Sequence, residues 1–160
     1  NIKMKKIFLF LFVAFSVATM QAQDTAEWHT DIQKAVALST KTKKPLLLFF
    51  TGSDWCGWCI RLQKEVLKTP EFAKWAKDNV VLMELDFPKR TPQAEAIKNQ
   101  NAQLNNFFKV RGYPTVWLVN ASKNSEGKIE FSPLGSTGYV AGGPAAWLGE
   151  ADKIIKNKKT

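Results

Sequence analysis

Leu46-Leu47-Leu48-Phe49-Phe50-Thr51-Gly52-Ser53-Asp54-Trp55-Cys56-Gly57-Trp58-Cys59 is the stretch on which the fold turns. Its first five residues form a continuous apolar run, the pattern of a strand covered on both faces in a central sheet. Thr51 to Asp54 break the run, and a helix is expected from Cys56 to Leu67, with Ile60 and Val66 among its apolar positions. Cys56 therefore falls at a strand-to-helix turn, where free amide groups and the helix dipole favour a thiolate. Two intervening residues bring Cys59 within reach of it, which suits reversible exchange between dithiol and disulfide. So short a loop restricts the unfolded chain little, leaving a purely stabilising crosslink little to contribute.

Outward from this segment the chain alternates helices and strands. Before it, Pro45 ends a helix expected over Thr25 to Thr42, where Asp24 and Glu27 make a capping-box-like start and Trp28, Ile32, Ala35 and Val36 recur at helical spacing. After it, Thr69 and Pro70 open a shorter helix carrying Phe72, Trp75 and Ala76, and Val80 to Asp86 reads as a strand. Strand, helix, strand in that order predicts a parallel pair with a right-handed crossover. Thr91 and Pro92 open a further helix with Ala94, Ile97, Leu104, Phe107 and Phe108. Thr115 to Val119 reads as a strand, 120–127 as a turn and Lys128 to Phe131 as the hairpin partner. Gly143 and Pro144 start a last helix with Trp147, Leu148, Ala151, Ile154 and Ile155 on one face. The pattern predicts a three-layer α/β/α sandwich around a mixed sheet of about four strands, one domain over residues 23–160.

The 160 residues carry 23 basic and 14 acidic side chains, six tryptophans and just two cysteines. The aromatic content is too high for a disordered chain, and the cysteine count too low for a disulfide scaffold. Lys3, Lys5 and Lys6 precede an apolar run from Ile7 to Met20 that ends in small and polar residues, the form of a secretory signal peptide over residues 1–22, with Met4 as the expected start behind a short upstream extension. The run is shorter than the roughly 20 residues of a membrane-spanning helix. Export to an oxidising space, the bacterial periplasm, would let the cysteine pair act chemically. The basic excess gathers at Lys41, Lys43 and Lys44 and at Lys153, Lys156, Lys158 and Lys159, near expected helix ends, as solvated charge does. It shows no interleaving with stacking aromatics, so no nucleic-acid partner is expected.

Trp55-Cys56-Gly57-Trp58-Cys59 entering a helix, followed by Arg111-Gly112-Tyr113-Pro114-Thr115 entering a strand, resembles the thioredoxin superfamily over most of the mature chain. The run from Gly52 to Cys59, with Glu65 and Phe72, is most similar to secreted bacterial thioredoxin-like proteins of the thiol:disulfide interchange group. The resemblance implies that Cys56 is the exposed nucleophile, Cys59 the more buried resolving thiol and Pro114 a cis-proline beside them, an isomer uncommon in itself. It implies a protein-disulfide oxidoreductase with no organic cofactor, its partners being proteins with disulfides or thiols and, for net reduction outside the cytoplasm, a membrane protein that delivers electrons. A monomer is expected. Trp55, Gly57, Trp58, Tyr113 and Pro114 would form the surface that holds the substrate, the backbone of Tyr113 serving as an extended edge.

The sequence departs from thioredoxin twice. Trp58 stands where thioredoxin has proline, and residues between the cysteines tune the potential, so the direction of exchange stays open, reduction or isomerisation being favoured over oxidation. Phe50 stands where thioredoxin has a buried aspartate, six residues before the nucleophile. Asp54, Glu84 and Asp86 are the candidate replacements for proton transfer, each equally the kind of carboxylate that caps a turn. Other chemistries find little support. One Cys-x-x-Cys and the solitary His29, on an expected helix, cannot complete a four-ligand zinc site, so no metal is expected. Gly135, Gly138, Gly142 and Gly143 lack the strand-to-helix setting of a phosphate loop. A second reading remains, a binding module whose aromatic rim grips a partner while the disulfide stays inert.

Overall fold

The computed structural model describes residues 25–157. The signal-peptide expectation and Asp24 lie outside these residues. Strand β1 (Trp28–His29) leads into helix α1 (Ile32–Thr42), followed by β2 (Leu46–Thr51) and α2 (Gly57–Leu62). A π-helical turn over Gln63–Leu67 continues α2, and α3 (Pro70–Asn79), β3 (Val81–Asp86), α4 (Glu95–Phe107), β4 (Thr115–Lys123), β5 (Ile129–Thr137) and α5 (Gly143–Lys156) complete the order.

The sheet runs β1-β3-β2-β4-β5. β2 pairs parallel with β3, from Leu46 opposite Val81 to Thr51 opposite Asp86, and antiparallel with β4. All six residues of β2 are buried, as its apolar run requires of a central strand. Its side chains alternate between two cores. Leu47 and Phe49 pack with Leu62, Val66, Phe72 and Trp147 under α2, α3 and α5. Leu46, Leu48 and Phe50 pack with Ile32, Val36, Leu104 and Phe108 under α1 and α4. The result is the expected three-layer α/β/α sandwich.

The sheet has five strands, not four. Trp28 and His29, expected within the first helix, instead pair parallel with Leu82 and Met83 at the sheet edge. Two contacts outweigh helical periodicity there. The Trp28 ring stacks on Phe72, with centroids 6.1 Å apart, and lies 5.8 Å from Phe49. The carboxylate of Asp31 then accepts from the amides of Gln33 and Lys34, so the helix starts at Asp31 and not at Asp24. Similarly, Thr91 does not cap α4, which begins at Glu95. The hairpin strands are also longer than expected, with a bulge between Leu118 and Val119. Among the described residues, no helix is long and apolar enough to cross a membrane.

Candidate active site

Cys56 and Cys59 are joined as a disulfide at the point where the chain leaves β2 for α2, their Cα atoms 5.2 Å apart. The turn is built by Gly52, whose carbonyl accepts from the amide of Trp55 at 3.3 Å and that of Cys56 at 2.9 Å. Glycine is required at 52 because a Cβ there would lie 2.4 Å from Cε2 of the Trp55 indole. Cys56 occupies the N-cap of α2, and the Cys59 amide donates to its Sγ at 3.2 Å. A donor so placed stabilises a thiolate once the bond is reduced. Cys56 is 6% exposed and Cys59 1%.

Two indoles rise beside the recessed sulfurs, Trp55 at 37% and Trp58 at 54% exposure. Trp55 is fixed by its Nε1, which donates to the carbonyl of Phe87 at 2.7 Å, and by an edge-to-face contact with Tyr113, centroids 5.9 Å apart. The Tyr113 hydroxyl donates to Asn105 at 2.9 Å, and burial pushes its pKa up. The Tyr113–Pro114 peptide bond is cis. Gly57 is exposed and leaves the space beside it open.

Trp58 belongs to a cluster that sequence reasoning missed. Its ring lies 5.0 Å from that of Tyr139, and the Arg61 guanidinium lies 5.3 Å from one centroid and 5.2 Å from the other. Arg61 Nε donates to Glu65 at 2.7 Å, and the Tyr139 hydroxyl donates to the other oxygen of that carboxylate. These two donors, Tyr139 foremost, hold the Glu65 pKa below its ordinary value. Helical spacing signals the Arg61–Glu65 pair, but Tyr139 reaches Glu65 from 74 residues away.

The three candidate carboxylates have distinct surroundings. Asp54 accepts from the amides of Lys89, Arg90 and Thr91 at 2.9, 2.8 and 2.8 Å, bonds that hold its pKa far below the carboxylate range. It pins the 89–91 loop, which is why Thr91 is unavailable to α4. Asp86 accepts from the amide and hydroxyl of Ser53. Glu84 lies opposite Phe49 in the register, on the face that carries the cysteines. It shares with Cys59 a cleft of about 640 Å³ that Thr51, Gln63, Lys64 and Lys68 also line. Burial, seconded by the charge of Asp86, pushes the Glu84 pKa up, while Lys68 opposes the shift. Phe50 points to the opposite core, against Phe108. His29 sits on β1, and among the described residues no three His, Cys, Asp or Glu side chains gather as a metal set.

Comparison with known proteins agrees with this geometry. A family profile described as thioredoxin-like matches residues 27–121. The disulfide bond reductase DsbH of Chlamydia pneumoniae is 36% identical over 72% of the chain and 69% of its own length. The thioredoxin-related protein DsbJ of the same organism is 32% identical over 98% of the chain, which spans 46% of that longer relative. A solved structure of a DsbH oxidoreductase superposes with a TM-score of 0.71 at 33% identity, covering 82% of the chain and 85% of the other. Profile, relatives and superposed sheet all include the strand, turn and helix that carry Cys56 and Cys59, and the chain belongs to the thioredoxin-like family.

Proposed function

We propose that the protein is a thiol:disulfide oxidoreductase that reduces or isomerises protein disulfides. The observation that carries this reading is the Cys56–Cys59 disulfide recessed at the end of the central strand, with Cys56 at a helix N-cap and Cys59 beside a cleft that Glu84 also lines. The Cys56 thiolate attacks one sulfur of a substrate disulfide; that bond breaks, and the other substrate sulfur leaves as a thiolate. Cys59 then gives up its proton to Glu84 and attacks Cys56 Sγ. The mixed disulfide breaks, the second substrate sulfur leaves as a thiolate, and the Cys56–Cys59 bond forms. Two electrons pass from protein to substrate, and the product thiolates take up protons. Glu84 is the one candidate of the three not already committed to backbone or serine donors, whereas Asp54 and Asp86 act as loop anchors. Trp55, Gly57, Trp58, Tyr113 and Pro114 hold the substrate segment.

Residues 1–22 act as the export leader and 23–160 as the mature domain, a monomer in the periplasm. The lysines and apolar run of the N-terminus support export, and the oxidised pair suits that space. Recharging the dithiol there needs electrons from a membrane protein. The relative named a disulfide bond reductase supports the direction of transfer.

The Cys59→Ala variant tests the reading. Incubated with disulfide-bearing proteins, it should accumulate partners linked through Cys56 and released by dithiothreitol. Partners retained without a covalent link would instead favour the inert binding module. A potential near thioredoxin's, about −270 mV, fits a reductase, and one near about −120 mV would make the protein a disulfide donor.

A further inference from the structure

Each indole beside the disulfide carries a cation on its face. Lys89 Nζ lies 4.0 Å from the Trp55 centroid, and the Arg61 guanidinium 5.3 Å from that of Trp58. The carboxylates of the same rim are turned to internal donors. Asp54 is taken by the amides of residues 89–91, Glu65 by Arg61 and Tyr139, and Asp86 by Ser53. Lys89 enters no ion pair among the described residues. Lys64 and Lys68 line the cleft beside Cys59, where Glu84 is the opposing acid. A segment laid across the sulfurs thus meets apolar ring edges and cationic tips, with the rim's own anions already occupied.

We infer that this rim selects disulfide-bearing peptide segments with aspartate or glutamate beside the half-cystine. The inference rests on the proposed exchange activity and names its substrate class. A carboxylate next to the half-cystine reaches Lys89, which has no ion-pair partner among the described residues, while its methylenes lie on the Trp55 indole. A lysine in that place meets like charge and is disfavoured.

Three peptides with one disulfide each, flanked by Asp, Ser or Lys, give the test, with turnover by the full protein measured under dithiothreitol recycling. The expected order of kcat/KM is Asp over Ser over Lys, with about threefold per flanking charge, shrinking as salt is raised. Lys89→Glu should invert the order between Asp and Lys peptides. Robust and equal turnover of all three peptides would overturn the preference alone. Turnover of none would overturn the exchange reading and the preference with it. Equal turnover together with binding of the oxidised protein to phosphatidylglycerol vesicles would assign the cations to a lipid surface and overturn the preference.

Discussion

A carboxylate that a fold holds partly buried resists ionisation, and Glu84 is such a group. Its folded pKa lies above the unfolded value, so the protonated form is the one the fold favours, and that stabilisation is lost as pH rises through the folded pKa. Glu84→Gln keeps a neutral side chain at every pH. The variant should be more resistant to urea than the parent at neutral and alkaline pH, with the gap closing in acid. The same substitution removes the proton acceptor proposed for Cys59, and stopped-flow resolution of a mixed disulfide should slow by about tenfold or more. A variant that gains stability without slowing would exclude Glu84 from the chemistry. At this scale the cysteine pair was legible from its local spacing, and the cis bond before Pro114 only through the family resemblance. The different surroundings of Asp54, Glu84 and Asp86 were not, because they depend on donors more than 30 residues distant and on a cleft assembled from four elements.

Among the elements, β1 and α1 show how tertiary contacts choose between two readings of one segment. Trp28 and Ile32 satisfy helical spacing, yet the indole gains more by stacking on Phe72 at the sheet edge. The resulting switch falls at Asp31, whose side chain caps α1, while Gln100 ties the junction to α4 through the amide of Ile32 and the carbonyl of Thr30. Asp31→Ala should cost about 1 kcal/mol in chemical unfolding, whereas a cap placed at Asp24 would leave Asp31 near neutral. The strands of the central sheet were legible because a run such as Leu46 to Phe50 has few alternatives. The π-helical turn was not, since nothing in Gln63 to Leu67 sets it apart from ordinary helix, and such turns recur next to functional sites.

Across the whole molecule, the site joins parts that are distant in sequence. Trp55 on the loop after β2 is held by Phe87 and Tyr113, and Trp58 on α2 by Tyr139 before α5. The order of strands and helices could be read from periodicity, whereas these cross-links could not, because they exist only once the sheet has formed. The depth of Cys56 between the indoles has a further consequence. To reach a residue only 6% exposed, an incoming sulfur in the proposed exchange must extend beyond its own surroundings. A disulfide locked within a rigid neighbour cannot protrude that far, while one in a slack chain can, so the proposed exchange would favour loosely held disulfides. Reduction of a single-disulfide protein should therefore accelerate by about tenfold or more when a core substitution unfolds that substrate, in keeping with the large penalty for misplaced reacting atoms. Equal rates on folded and unfolded forms would count against this. Under the proposed exchange, the recessed pair would thus act as a test of foldedness on each chain offered to it.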